Sequence, residues 1–462
     1  MSLLRLGGES LADRSVLVMG LGLFGGGLEA TRAALRAGAR VTVTDLRDET
    51  ELAESVAALA GSGATLVLGE HRLTDFEAAD IVIANPAVAP SSPLLAAARA
   101  AGARVTSEFE LLLEACPAEV VLVTGTQGKS STCNLLATLL RESGRRVHLG
   151  GNIGRSLLPE LGELEAEDLC ILETSSYQLE ALPEPAFVRR HLAGRVVAVA
   201  VTNVLADHLE RHGSLAAYEA AKRRILELQG PGGITVLSAD DPRTSRWELC
   251  AGQATFFSSR REATVQLTSE GRFRAGSADL GAASDLLLPG DFQRDNVLCA
   301  LAVAHGLGAA PDRLAAALPK LRGLDDRMQD LGEFDGHRVW NNGISTTPDS
   351  TRSAVLSLPG PFVWMCGGRF KDLPVDDLAE AARGRARVVI TFGEAAEVLA
   401  EQLGARGLEA RAHGPLRAAV RAAFAELRPA EALLFSPACS SFDEYRNVSD
   451  RSRAFRAALP VR

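Results

Sequence analysis

One stretch, VVLVTGTQGKSST at 120–132, constrains the fold of this chain more than any other. An apolar run with the character of a buried strand ends in a Gly-Thr-Gln-Gly turn at 125–128. Lys129 and the hydroxyls of Ser130, Ser131 and Thr132 follow, and then Leu135, Leu136, Leu139 and Leu140 recur at helical spacing. Strand, glycine turn, lysine and helix together predict a phosphate cradle on an α/β sheet. Backbone N–H groups and a helix N-terminus face the anion, the lysine neutralises it, and a hydroxyl can hold Mg²⁺. The general P-loop carries a glycine five residues before Gly128, where this chain has Val123, so the match is to the shorter pattern TGT-x-GKS. A lysine at a helix start opposes the helix dipole and has no evident structural purpose, which favours the cradle over a plain connecting turn.

The 462 residues suggest about three domains at roughly 150 each. A hydrophobic content of 47% with 23% charged residues is that of an ordinary globular protein. The net charge of −9, with no basic block, argues against nucleic-acid partners. Seven cysteines (116, 133, 170, 250, 299, 366 and 439) are dispersed without a CxxC pair, as expected of reduced thiols in the cytoplasm. Residues 1–14 include Arg5, Glu9, Asp13 and Arg14 and lack a signal-peptide core. No run approaches the ~20 apolar residues of a membrane span, so neither a membrane partner nor a membrane location is expected.

Along the chain, residues 1–117 open with SVLVMGLGLFGGG, a helical stretch to Gly38, and RVTVTD ending at Asp45. The glycines Gly20, Gly22 and Gly25 form a GxGxxG turn after a strand, and Asp45 stands at the next strand end, a Rossmann-like arrangement. Such a turn alone is a weak indicator of NAD. Residues 118–322 continue from the cradle strand through DLCILETSS, VVAVAVTNV and ITVLSADD, with a polar, antiparallel-looking stretch from Ser258 to Ser284. Residues 323–462 form a third α/β unit, with strands expected in FVWMCGG, ARVVITFG and EALLFSP. The fold class is therefore α/β, as three consecutive domains: a Rossmann-like N-terminal domain, a P-loop-type central ATPase domain and a Rossmann-like C-terminal domain.

Several polar residues stand at strand ends, where open parallel sheets collect their active groups. Glu173, in LETSSYQLE, can ligate Mg²⁺ or cap the following helix. Asn203, Asp207 and His208 follow the next apolar run, and His208 has a metal-ligand and a structural reading. Lys222 lies beside the apolar helix face of Tyr218, Ala221 and Ile225. There it can snorkel, or be buried with a lowered pKa that lets its amine react with CO₂. In the third unit, Arg327, Thr346, Lys371 and Ser441 gather a cation and hydroxyls suited to a free carboxylate substrate.

These motifs resemble one family, the ATP-dependent Mur ligases of peptidoglycan synthesis, and within it the glutamate-adding members. The resemblance spans nearly the whole chain, through TGTQGKSS, GGNIG (150–154), ETSSYQLE, DHLERHGS with YEAAK, and SPACSSFDEY. It implies an amide ligase that joins D-glutamate to UDP-N-acetylmuramoyl-L-alanine through an acyl phosphate, using ATP and Mg²⁺, as a monomer. The implied ATP contacts are Gly125, Thr126, Gly128, Lys129, Ser130, Ser131, Asn296, Arg327 and Asn342. The implied UDP-substrate contacts are Gly22, Asp45, Asn85, Asn152, Ser175 and Gln178. Thr346, Lys371, Ser441 and Phe442 would hold glutamate. Lys129, Glu173, His208 and Lys222 would be catalytic, with Ser130, Glu173, His208 and a carbamylated Lys222 around the metal.

The chain departs from the usual family pattern at Gln127 for Asn, Phe292-Gln293 for His-Asn and Asp326 for His. It also has Asn342 for Asp, Gly343 for Ser, Ile344 for Lys, and Phe370 within GGRFK. These changes surround the nucleotide and glutamate contacts. They leave open an L-glutamate-adding variant, or a weakly active homologue that binds UDP-precursors. A nicotinamide dehydrogenase leaves the central cradle unexplained.

Overall fold

The Val-, Ile- and Leu-rich runs become inner strands of three sheets, where both faces are covered and apolar residues need not alternate. The computed structural model describes residues 4–460 apart from 23–24, 153–154, 231, 250–253 and 289–290, and describes residues 291–292 by backbone alone. Two compact units make up the chain: Met1–Leu286 with Arg294–Leu321, and Leu287–Gln293 with Arg322–Arg462.

The first unit contains two large sheets and a small antiparallel pair, Arg5–Leu6 with Glu9–Ser10. Strands β1 (Ser15–Met19), β2 (Arg40–Asp45), β3 (Thr65–Leu68), β4 (Ile81–Ala84) and β5 (Arg104–Thr106) are all parallel, in the order β3-β2-β1-β4-β5. The winding reverses at β1, and such a switch point opens a crevice beyond the strand carboxyl ends. Helix α1 (Gly26–Arg36) begins at that crevice, and α2 (Glu108–Ala115) leads out of the sheet.

The second sheet of this unit has nine strands. They are β6 (Glu119–Thr124), β7 (Val147–Gly151), β8 (Leu169–Glu173), β9 (Val196–Val201), β10 (Ile234–Ser238), β11 (Ala254–Ser258), β12 (Val265–Leu267), β13 (Arg272–Ala275) and β14 (Ala278–Ala282). Their order is β14-β13-β12-β11-β10-β9-β6-β8-β7. All pairs are parallel except β12–β13 and β13–β14, which form the antiparallel excursion expected between Ser258 and Ser284. Strand β6 lies between β8 and β9, so its carboxyl end is again a switch point.

Helix α3 (Lys129–Glu142) leaves that point, followed by α4 (Ser176–Glu180), α5 (Leu215–Arg223) and α6 (Asp291–Gly306). Leu135, Leu136, Leu139 and Leu140 are at most 2% exposed. Burial of each contributes about 1.5–3 kcal/mol and holds α3 against the sheet.

The second unit has one six-stranded sheet. Its strands are β15 (Gln329–Phe334), β16 (His337–Asn341), β17 (Phe362–Gly367), β18 (Ala386–Phe392), β19 (Ala410–Ala412) and β20 (Ala432–Ala438), in the order β15-β16-β20-β17-β18-β19. Only β15–β16 is antiparallel, and sequence reading did not anticipate that hairpin. Helices α7 (Pro348–Ser357) and α8 (Val448–Ala458) belong to this unit. Among the described residues, no helix is long and apolar enough to cross a membrane.

Candidate active site

The turn after β6 is held from several sides. Gly125 and Gly128 have φ of 149° and 82°. A Cβ on Gly125 would lie 1.8 Å from Thr202 Oγ1, and one on Gly128 would lie 2.1 Å from Asn296 Oδ1. Both positions therefore require glycine on conformational and steric grounds. The end of β9 clasps the turn: Gln127 N–H donates to Asn203 Oδ1 (3.0 Å), and Thr202 Oγ1 donates to the Gln127 carbonyl (2.6 Å). Asn203 is thus a structural clasp, and the Gln127 side chain points to solvent. Ser130 and Ser131 stand in the first turn of α3, the latter buried.

Two lysines meet on one carbonyl. Lys129 Nζ folds back to the Gly125 and Thr126 carbonyls at 3.0 and 2.9 Å, and Lys222 Nζ reaches the same Gly125 oxygen at 2.8 Å. Lys222 is 1% exposed and its ammonium lies 4.6 Å from the centre of the Tyr218 ring. Desolvation, followed by the charge of Lys129, lowers its pKa to about 7, against the opposing pull of Asp207 and Glu173. Of the two readings of Lys222, the buried one holds.

Glu173 ends β8 and is buried. Its Oε1 accepts from Asn152 Nδ2 at 2.8 Å, while Oε2 is buried with no partner among the described residues. His208, in the left-handed conformation with φ 51°, bonds Tyr177 through Nδ1 at 3.3 Å and places Nε2 3.6 Å from Asp207.

A cavity of about 410 Å³ joins these groups to the N-terminal sheet. Lys129, Lys222, His208 and Tyr218 line one end; Asn152, Ser175 and Gln178 line the middle; Gly20, Gly27 and Asn85 line the other. Ser175 and Gln178 form a capping box on α4, so each has a structural role as well as a place in the wall. Gly22 N–H donates to Asp45 Oδ2 at 3.1 Å, and Asp45 Oδ1 accepts from Arg47 N–H at 3.0 Å. The acid that would bind a ribose in a dinucleotide fold thus braces the glycine turn. Leu23 and Phe24 of that turn, and Ile153 and Gly154 of GGNIG, lie outside the described residues, as does Cys250.

In the second unit, Thr346, Lys371, Ser441 and Phe442 stand beyond the carboxyl ends of β16, β17 and β20. Lys371 and Phe442 are exposed, while Ser441 is 1% exposed with its Oγ unpaired. Arg327 follows the GLDD segment. Asn342 is occupied internally: its Nδ2 donates to Ser436 Oγ (2.9 Å) and its Oδ1 accepts from Met328 N–H (3.3 Å).

Residues 123–304 match the Mur ligase middle domain, and residues 14–107 match the Mur ligase MurD-like N-terminal domain. The UDP-N-acetylmuramoylalanine–D-glutamate ligase of Roseiflexus sp. (strain RS-1) is 36% identical, over 96% of this chain and 98% of the relative. The protein of the same name from Geobacter metallireducens is 34% identical, over 97% and 98%. This chain belongs to the Mur ligase family. Solved structures agree on the fold: UDP-N-acetylmuramate–alanine ligase MurC from Thermotoga maritima has a TM-score of 0.60 at 19% identity, covering 96% of this chain and 99% of that one. MurF from Acinetobacter baumannii has a TM-score of 0.62 at 15% identity, covering 90% and 91%. This Mur ligase thus has the three-domain α/β architecture expected from its sequence.

Several departures of this Mur ligase from the usual pattern have local explanations. A Cβ on Gly343 would lie 1.9 Å from Ser452 Oγ, so glycine leaves room for that hydroxyl. Asp326 accepts from Asn341 Nδ2 (2.8 Å) and pairs with Arg456, an internal use that a histidine would not reproduce. Phe370 packs on the core beneath β17, and Ile344 is 39% exposed. The side chain of Phe292 lies outside the described residues.

The unpaired, buried Glu173 Oε2 fits a divalent cation, because a buried carboxylate oxygen without a donor is otherwise costly. Among the described residues, no three His, Cys, Asp or Glu side chains converge on a metal position. Phosphate oxygens and water would complete the shell, as Mg²⁺ commonly requires.

Sequence reading missed three wall or brace residues. Glu108 lines the cavity, accepts from Ser156 Oγ at 2.5 Å, and has its pKa raised by desolvation. Arg155 also lines the cavity. Arg211 donates to the carbonyls of Ala87 (2.8 Å) and Val88 (3.0 Å), fastening the Asn85 loop to the His208 segment. The sequence SEFE before an apolar helical run was the available signal for Glu108.

Proposed function

We propose that this Mur ligase joins D-glutamate to UDP-N-acetylmuramoyl-L-alanine at the expense of ATP. The observation that carries this reading is one cavity with a nucleotide-fold glycine turn at one end and the Lys129–Lys222 pair at the other. A long substrate with a nucleotide at one end and a carboxylate at the other suits such a shape. One solved structure of similar fold, MurF ligase from Thermotoga maritima, is in complex with ADP.

In the proposed reaction the alanine carboxylate attacks the γ-phosphorus of ATP, the bond to the β-phosphate oxygen breaks, and ADP leaves. The glutamate amine then attacks the acyl carbon, losing a proton as the carbon–oxygen bond to phosphate breaks. Asn152 and Gln178 orient the muramoyl end, and the N–H groups of 128–130 with Lys129 receive the transferring phosphoryl group. Most of the acceleration comes from positioning and charge neutralisation. Mg²⁺, held by Ser130, Glu173 and His208, would neutralise phosphate charge when bound. The neutral amine of Lys222 adds CO₂ and gives up one proton to solvent, leaving a carbamate whose carboxylate would extend that donor set. Asn296 and Arg327 serve the nucleotide; Thr346, Lys371, Ser441 and Phe442 serve glutamate. We place the reaction in the cytoplasm, where ATP and UDP-sugars are available, with the enzyme acting as a monomer.

Phosphate release by purified protein with ATP, Mg²⁺ and UDP-N-acetylmuramoyl-L-alanine tests the reading. Release dependent on D-glutamate is expected. Release with L-glutamate alone would reassign the amino acid, and no release with either would refute ligase activity.

A further inference from the structure

Arg451, on α8, is 0% exposed and has no carboxylate partner among the described residues. Its Nη1 donates to the carbonyls of Gly367 (3.4 Å), Cys439 (2.8 Å) and Ser440 (3.1 Å). Its Nη2 donates to those of Gly343 (3.1 Å) and Ser345 (3.3 Å). These acceptors come from three separate segments, at the end of β17 and just after β16 and β20. Burial lowers the guanidinium pKa only to about 10, so it stays charged at neutral pH.

A trans peptide points its N–H opposite to its carbonyl. Each carbonyl drawn to Arg451 therefore turns the next residue's N–H away from the guanidinium. Three of the five are used inside the protein: Ile344 N–H bonds Asp326 O (3.1 Å), Gly368 N–H bonds Phe392 O (3.1 Å), and Ser440 N–H bonds Arg369 O (3.0 Å). The other two, Thr346 and Ser441, have no protein acceptor among the described residues. Ser441 is 1% exposed, and its Oγ is also buried and unpaired. A buried N–H and hydroxyl left together without partners mark a place where a ligand oxygen is missing.

We propose that Arg451 is a positioning residue for the acidic co-substrate: by gathering five carbonyls it turns the Thr346 and Ser441 amides outward as carboxylate receptors. This deepens the proposed function and rests on it for the identity of the carboxylate. The buried charge also polarises those peptides, which strengthens their N–H groups as donors. Gly368 is required for the arrangement, since a Cβ there would lie 2.3 Å from Ser440 O and 2.9 Å from Arg451 Nη1.

The test uses the full-length enzyme. Arg451→Lys keeps the charge but cannot span three segments with a planar fork. We expect KM for D-glutamate to rise about tenfold, with KM for ATP and for the UDP-substrate changed less than about twofold. No change in KM for glutamate, or an equal rise in all three KM values, would overturn the proposal. A variant that fails to fold leaves the decision to wild-type hydrogen exchange, with UDP-substrate and a non-hydrolysable ATP analogue present throughout. Saturating D-glutamate should slow exchange in the peptides that contain Thr346 and Ser441, and absence of slowing in both overturns the proposal. Wild-type enzyme that releases phosphate only with another acidic amino acid corrects the function alone, and the same measurements are then made with that amino acid.

Discussion

The two units use buried cations in opposite ways. In the first, Lys222 is almost fully buried yet has one carbonyl partner, which it shares with Lys129. Its charge is poorly compensated, its pKa falls to about 7, and its amine faces the cavity. In the second, Arg451 has both terminal nitrogens engaged by five carbonyls and keeps its proton, while Lys371 is exposed and has no hydrogen bond or ion pair among the described residues. A lysine, as a compact point charge, can be left chemically available by burial. An arginine's planar fork is suited to fixing backbone. The contrast separates a reactive centre from a receptor whose shape is held from beneath.

The largest expected effect lies at the cradle. Lys129→Ala removes the charge that stabilises the transferring phosphoryl group, and kcat should fall by about a thousandfold or more. Near-normal phosphate release would break the comparison at its strongest point. Lys222→Ala should lose most activity, with partial recovery on adding short-chain carboxylates such as acetate or propionate. The pH dependence sharpens this. Only the neutral amine adds CO₂, so with a pKa of about 7 the carbamate should form above neutrality and be lost as pH falls through that value. Native mass spectrometry across that range, with and without bicarbonate, should show the mass of one added CO₂ disappear on acidification. A mass independent of pH and bicarbonate would leave Lys222 as a structural cation.

A smaller effect is expected at Lys371. Because it is exposed and has no partner among the described residues, Lys371→Ala should leave the fold intact and raise KM for glutamate, by about ten- to a hundredfold for one lost charged contact. Titrations of glutamate and ATP on the same preparation measure the difference, and equal changes would take Lys371 out of the amino-acid pocket.

How much of this was legible in the sequence follows the same division. The cradle could be read because its residues are contiguous: strand, turn, Lys129 and helix lie within 120–140, and each obeys a local rule. Lys222 could be suspected because Tyr218, Ala221 and Ile225 mark an apolar face beside it. Arg451 could not. It sits in VSDRSRAFR, a polar helix where one more arginine reads as solvated, and its five acceptors lie about 11 to 108 residues away along the chain. Arg211 escaped for the same reason, since its carbonyl partners Ala87 and Val88 lie more than 120 residues away, in the loop after β4. The β15–β16 hairpin was missed because its strands carry charges and Gly332 and lack an apolar run.

The smallest effect concerns Gly343, where the usual pattern has serine. Its φ is not in the left-handed region, so backbone strain does not demand glycine here. What excludes a side chain is Ser452 Oγ, 1.9 Å from the position a Cβ would take, with Asn341 Oδ1 at 3.0 Å and Phe435 Cε1 at 3.1 Å. Gly343→Ala should therefore destabilise the protein by about 1–3 kcal/mol through overpacking. Ser452→Ala should cost little, because the hydroxyl it removes is buried and unpaired. The double variant should recover part of the loss, the remainder reflecting Asn341 and Phe435, with a coupling of about 1 kcal/mol. Denaturant unfolding of the four proteins measures this. Full additivity would show that the loops over Arg451 can shift to admit a methyl group, and the receptor would then be less rigidly held than the cradle to which it is compared.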